Sequence, residues 1–395
     1  MKGQQTSDTS ALDIRCHVCG DSAVEMVPGY EVFRGVTSDC RPWHRGGRLG
    51  VCRACGCVQK VTDQVWQSEV EKIYEAYSIY HQSGGVEQAV FDMASGRASS
   101  RSECLLECLY SHLQLPERGW LLDVGCGNGA LLRAFSRFAP LWSLAGTELN
   151  DKYRSVVESI DNVKALYTCP PDQVPGTYTL ITMIHVLEHV LAPKEFIAGL
   201  KGKLEDGGLL VVEVPEFLQN PFDLLIVDHC THFTAATATE LIQSAGYEVV
   251  LVATDWVPKE LTIVARKAGS QQMKRASHVS SFSLEPVVRC LQWLASVLAT
   301  ARQISAKGAF GLFGTSIAAT WLFSELEESV SFFVDEDPRR CGKSYMGRPV
   351  YHPHDAPSNS HVFITLPTKL AESIQARMKG MKYGFDCYLP PPFFI

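Results

Sequence analysis

Three groups of residues in this chain have the types and spacing that chemistry needs. The first is Asp123-Val-Gly-Cys-Gly-Asn-Gly129, with glycines at alternate positions. Without a Cβ, Gly125, Gly127 and Gly129 let the backbone turn sharply and come close to a ligand. About 20 residues on, Glu148 stands where a carboxylate can take both hydroxyls of a ribose. The Gly-x-Gly-x-Gly spacing differs from the Gly-x-Gly-x-x-Gly of dinucleotide sites. A tight strand-to-helix turn without a ligand is the plainer alternative.

The second group is Cys16-His-Val-Cys19 and Cys52-Arg-Ala-Cys55, each followed by glycine. Two such turns bring four thiolates into the tetrahedron that Zn²⁺ favours in closed, structural sites. The long spacer is tolerable because loop-closure entropy grows slowly with length. His17, Cys40 and Cys57 are substitute ligands, Cys57 first among them. A redox pair is the alternative, but neither knuckle follows a strand and opens a helix.

The third group is His185-Val-Leu-Glu-His189 and Asp228-His-Cys-Thr-His232. Glu188 and His189, three and four positions after His185, fall beside it on one face of an incipient helix. His185 and His229 read as functional, while His189 and His232 suit function and structure equally. A histidine titrating near neutrality can take a proton from an oxygen or nitrogen, or from a carbon beside a carbonyl. In the carbon case the enolate also needs a nearby donor. Tyr74, Tyr77 and Tyr80 form a helical stripe at three-residue spacing, which reads as packing surface more than as ligand contact.

These residues need elements to hold them. Between 119 and 268, short apolar runs at 120–124, 143–147, 179–184, 208–214, 248–253 and 261–266 alternate with amphipathic stretches, the pattern of a mainly parallel α/β sheet. The glycine loop then lies at the carboxyl end of the first strand, where open α/β sheets bind ligands. The remaining divisions are a disordered tail over 1–12, a cysteine-rich domain over 13–65 and a helical segment over 66–118. A second α/β domain over 269–395 follows a Gly/Ser/Gln/Lys-rich boundary. That last unit has a strand entering a turn over Gly308–Gly314, a helix over Ile317–Leu326 and a second strand over Val330–Asp335, too little for an independent dinucleotide site.

Composition narrows the field. The 395 residues are 46% hydrophobic and 20% charged, an ordinary globular mix. A net charge of −7 and the absence of a basic, aromatic-rich stripe argue against nucleic acid as a partner. No run approaches a membrane span, and the N-terminus has no apolar run of a signal peptide. Fourteen cysteines, mostly scattered singly, fit a reducing cytoplasm better than a disulfide framework.

The acidic-x-Gly-x-Gly-x-Gly loop resembles the first motif of class I S-adenosylmethionine-dependent methyltransferases. The resemblance implies a Rossmann-like core, with Gly125, Gly127 and Gly129 around the amino acid part of the cofactor and Glu148 on its ribose. Asp123 would support the loop or the cofactor's ammonium. The full layout of zinc ribbon, Tyr-rich segment, His-x-Leu-Glu-His core and terminal Rossmann-like half-domain resembles the sugar C-methyltransferases, which act on nucleotide-linked keto-deoxysugars. That resemblance implies Tyr80 on the sugar, His185 beside the substrate, His229 as base and the last domain holding the carrier nucleotide. The chain departs from the group's Tyr-x-Glu-His segment with Ile226 and Asp228. O- or N-methylation of a sugar or natural product is therefore the second expectation, and a non-catalytic cofactor-binding interaction protein the third. Oligomeric state is left open.

Overall fold

The computed structural model describes residues 14–78, 85–87, 89–91, 98–268, 282–381 and 383–393. The expected tail, Tyr80 and most of the expected boundary after residue 268 lie outside them.

The central sheet has seven strands: β1 (Trp120–Val124), β2 (Ser143–Thr147), β3 (Val163–Tyr167), β4 (Tyr178–Ile184), β5 (Leu204–Pro215), β6 (Tyr247–Ala253) and β7 (Glu260–Lys267). Their order is β3-β2-β1-β4-β5-β7-β6, and β7 runs antiparallel to both its neighbours while the other pairings are parallel. Strand β3 had no expectation. It is an edge strand, only Leu166 is fully buried in it, and its mixed polarity hides the period-two signal.

Helix α1 (Gln64–Glu75) starts where the Asp63 side chain accepts from Trp66 N. Helix α2 (Arg101–His112) starts on a reciprocal Ser100/Glu103 capping box. Residues 66–118 are not purely helical, because Ala89–Phe91 and Ala98–Ser100 pair as a hairpin. Helix α3 (Ala130–Phe138) follows the glycine loop and buries Leu131, Leu132, Ala134 and Phe135 against the sheet.

In the N-terminal unit, strands Val24–Met26, Leu49–Cys52 and Val58–Lys60 form a sheet whose fourth strand comes from elsewhere. Thr231–His232 pairs antiparallel with Gln59 and Val58. The C-terminal unit opens with α4 (Glu285–Ser305). Its sheet contains β8 (Phe310–Phe313), β9 (Phe332–Val334), β10 (Ser344–Tyr345), β11 (Arg348–Tyr351), β12 (His361–Ile364) and β13 (Asp386–Tyr388) in the order β10-β11-β9-β8-β12-β13. Helix α5 (Ile317–Leu326) lies where the sequence predicts it. One apolar core joins Val36 and Leu49 of the N-terminal unit, Phe222 of the central domain, and Trp293 and Trp321 of the C-terminal unit. No described helix is long and apolar enough to cross a membrane.

Candidate active site

At the end of β1, Gly125, Gly127 and Gly129 have φ of 68°, 55° and 79°, a region that side chains rarely adopt. A Cβ on Gly125 would lie 2.5 Å from Val186 Cγ2, and one on Gly129 2.6 Å from Ile160 Cδ1. Glu148 ends the neighbouring strand, and its Oε1 accepts from Gly127 N at 2.6 Å. The buried Asp123 accepts from Thr182 Oγ1 at 2.7 Å, and burial pushes its carboxyl up to about 7. Asn128 Oδ1 is buried without a hydrogen-bond partner among the described residues. The loop therefore has the cradle and the unsatisfied polar atom of a ligand site, and it opens into a cavity.

That cavity holds about 970 Å³ and is bordered by residues from every part of the chain. His185 stands at the end of β4 with φ 55°, its backbone N bonded to Glu213 O. Its Nε2 meets the Arg101 guanidinium, and its Nδ1 lies 3.2 Å from Glu188 Oε1. Arg101 in turn pairs with Glu260 at 2.6 Å. Burial, then the Arg101 charge, drives His185 well below the ordinary histidine range. Burial also pushes Glu188 and Glu213 up to about 8. Arg101 was not anticipated, since its partner lies 84 residues away.

His229 is fixed by a residue the sequence did not point to. Asp223 Oδ1 lies 2.7 Å from His229 Nδ1, and Asp223 Oδ2 lies 2.6 Å from His232 Nδ1. Burial opposes the Asp223 charge, but the two histidines outweigh it and hold the carboxyl well below its usual range. Burial likewise opposes protonation of His229, and Asp223 reverses this, pushing it up to about 9. His232 does not line the cavity; burial pushes it down to about 4.

His189 was expected on one helical face with His185. The segment instead makes a single 3-10 turn, Leu187–His189, which still leaves Glu188 beside His185. Its Nδ1 sits 2.9 Å from the Asp228 carbonyl and 3.0 Å from Tyr74 Oη. Its ring meets that of His229 edge-on, with centroids 4.6 Å apart.

Asp228, expected beside the reaction, is fully buried and turned from the cavity. Its carboxylate accepts from Ser38 N at 2.8 Å and from Ser38 Oγ. This gives it a positioning part, tying the N-terminal unit to the histidine loop. Ile226 does border the cavity, so that wall is apolar where the resemblance implies a phenol. The tyrosine stripe is no helical stripe, because α1 ends at Glu75, yet Tyr74 and Tyr77 both line the cavity. The contact expected of Tyr80 falls outside the described residues.

The far wall comes from the C-terminal unit, where Thr315 and Ser316, in the turn after β8, and Arg340, after β9, border the same cavity. Arg340 Nη1 donates to Thr315 Oγ1 at 2.8 Å and lies 3.3 Å from Asp335 Oδ2, and Thr315 donates to the same oxygen at 2.7 Å.

In the N-terminal unit, the Sγ atoms of Cys16 and Cys55 are 3.4 Å apart and those of Cys19 and Cys52 are 3.5 Å apart. These separations exceed the about 2.05 Å of a disulfide. One sulfur of each of the four lies within 4.8 Å of the others, as a tetrahedral site requires. Cys57 is buried nearby but stands outside this group.

Comparison with known proteins agrees with the glycine loop. Residues 101–252 match a methyltransferase domain. A stretch of 100 residues is 31% identical to the mitochondrial ubiquinone biosynthesis O-methyltransferase of Schizosaccharomyces pombe, covering 23% of this chain. The chain spans only 36% of that relative's length. Among solved structures, an S-adenosylmethionine-dependent methyltransferase from Clostridium acetobutylicum aligns at TM-score 0.36 with 10% identity, covering 52% of this chain and 98% of its own. The mitomycin 7-O-methyltransferase MmcR aligns at TM-score 0.37 with 13% identity, covering 42% of this chain and 53% of its own. The methyltransferase domain so matched carries the glycine loop, Glu148, and the His185, His189 and His229 cluster.

Proposed function

We propose that this protein transfers a methyl group from S-adenosylmethionine to a carbon of a nucleotide-linked keto-deoxysugar or a related sugar. The observation that carries the proposal is the single cavity that runs from the glycine loop past the histidines to Thr315, Ser316 and Arg340. It has one end for a nucleoside cofactor, a polar middle for proton transfer, and a third wall for the acceptor's carrier. Gly125, Gly127 and Gly129 enclose the cofactor's amino acid portion, and Glu148 takes its ribose. Asp123 backs the loop through Thr182. The bound sulfonium supplies an electrophilic methyl carbon.

The histidine cluster serves the acceptor. A proton beside the ketone passes to a cluster imidazole, with His229 first in line in its neutral form, whose share grows as pH rises toward about 9. The enolate's carbon then bonds the methyl, the sulfur–carbon bond breaks, and its electron pair stays on sulfur. Asp223 orients His229 through Nδ1, as a carboxylate fixes ring direction and tautomer elsewhere. Cys16, Cys19, Cys52 and Cys55 hold a structural Zn²⁺, with no open position for substrate.

A second reading is methylation of an oxygen or nitrogen. Two observations favour it. Ile226 removes a phenolic donor that an enolate could use, and the partial relative from Schizosaccharomyces pombe is an O-methyltransferase.

Calorimetry with S-adenosylmethionine tests the first step, with one site per chain expected; no binding would overturn the proposal. Incubation of a nucleotide-linked ketosugar in D₂O separates the acceptors. Deuterium entering beside the carbonyl supports the carbon route, and none entering favours the oxygen or nitrogen route.

A further inference from the structure

Beyond that activity, we propose a second cation site, in which Glu188, His189 and His229 bind a borderline divalent metal ion at the cavity wall. One ligand atom from each of these residues lies within 4.8 Å of the others.

The hydrogen bonds decide which atoms are available. The Asp228 carbonyl at His189 Nδ1 can only accept, so that nitrogen carries its proton and Nε2 keeps the lone pair. The Asp223 carboxylate at His229 Nδ1 imposes the same tautomer on the neutral ring. Metal-binding histidines are oriented in this way, with one ring nitrogen donating to a carboxylate or backbone carbonyl and the other facing the ion. Both supports are already in place here.

The third ligand supplies an independent observation. Glu188 is 1% exposed, and its Oε2 is buried with no hydrogen-bond partner among the described residues. A buried carboxylate oxygen is costly to leave unsatisfied, and a cation would satisfy it. Its Oε1 already faces His185 Nδ1, which steadies the side chain. His185 itself is not a ligand, because its two nitrogens are engaged by Glu188 and Arg101.

Two imidazoles and one carboxylate suit Zn²⁺, Fe²⁺, Co²⁺ or Mn²⁺, and three protein ligands leave positions open for a bound molecule. His189 and His229 both border the cavity, so the open positions face the acceptor. The ion would hold and polarise an oxygen of that acceptor, as a Lewis acid does. A bound ion takes the lone pair of His229 Nε2, so in the metal-loaded protein water held at an open position of the ion would take the acceptor's proton in place of that ring. The contrast with the cysteine site is one of geometry: four thiolates close a coordination sphere, and this triad leaves one open.

The test uses the full chain with its cysteine site loaded with zinc. Mn²⁺ is the probe, since carboxylate and imidazole accept it and thiolates select softer ions. Titration followed by electron paramagnetic resonance should find one bound Mn²⁺ per chain. Glu188→Gln should weaken it at least tenfold, and Asp223→Asn, which acts through His229, should weaken it about 10- to 100-fold. His189→Gln provides a second ligand variant should Glu188→Gln fail to fold, and S-adenosylmethionine affinity reports on folding in each. No Mn²⁺ bound, or Mn²⁺ binding unchanged in a folded ligand variant, overturns the site. Because metal stoichiometry needs neither cofactor nor turnover, failure here is distinct from failure of the proposed methyl transfer.

Discussion

The two ends of the cavity are built by opposite means. The cofactor end is one continuous loop, Asp123–Gly129, whose shape depends on backbone conformations that glycine adopts readily. The acceptor end has no continuous motif. It gathers Arg101, His185, Glu188, His189, Asp223 and His229 from three stretches of chain and holds them by buried ion pairs. The first end should therefore be sensitive to side-chain bulk and indifferent to charge. The second should show the reverse.

Substitution at the cofactor end tests this most severely. Gly125→Val places a β-branched residue at φ 68° and a Cβ 2.5 Å from Val186 Cγ2. Calorimetry should show S-adenosylmethionine affinity falling at least about 100-fold, equal to roughly 2.7 kcal/mol or more. Retained affinity would mean that the loop's conformation matters less than its position.

Charge removal at the acceptor end should cost stability and leave cofactor binding alone. Asp223→Asn withdraws the carboxylate shared by His229 and His232. Denaturant unfolding should register a loss of about 3–5 kcal/mol, the scale for breaking a buried pair from one side. Cofactor affinity should change by less than about threefold, under 1 kcal/mol. A large loss of cofactor affinity would collapse the distinction between the two ends.

The cofactor end contains one exception to its indifference to charge. Burial raises Asp123 to about 7, above its unfolded value. Below about pH 4 the carboxyl is neutral in both states, so its stabilising contribution is fully present there. Between about pH 4 and 7 the unfolded chain ionises first and that contribution is lost, on the order of 4 kcal/mol at most. The stability difference between the protein and its Asp123→Asn variant should follow this slope and level off above pH 7. A flat difference would mean that Asp123 titrates in the folded protein as it does in the unfolded chain.

The smallest effect concerns the link between units. Ser38→Ala removes the hydroxyl bond to Asp228 but keeps the backbone one. The expected loss is about 1.5–3 kcal/mol by denaturant unfolding, the net worth of a hydrogen bond to a charged group. A much larger loss would show that the N-terminal unit holds the histidine loop in place through this contact.

The legible part of the protein follows from this comparison. Expected runs at 120–124 and 143–147 coincide with β1 and β2, because strands buried beyond their first residue carry continuous apolar signals. Strand β3 escaped notice at the exposed edge. The paired cysteines converge as their spacing suggested, because each knuckle is a local turn. The histidines were found but not their partners. Helical spacing placed Glu188 and His189 beside His185; a single 3-10 turn formed instead of a helix, with Glu188 meeting His185.

The sequence by itself determined the glycine loop, Glu148, the two cysteine knuckles and the alternation of strands and helices. Each depends on residues close in the chain, where backbone geometry leaves few choices. Tertiary structure alone decided that Asp223 holds His229, that Arg101 meets His185 and that Thr231–His232 completes the N-terminal sheet. It also decided that Thr315 and Arg340 face the same cavity as the glycine loop. Those contacts join side chains on separate segments, and how the apolar cores pack determines which buried charges meet.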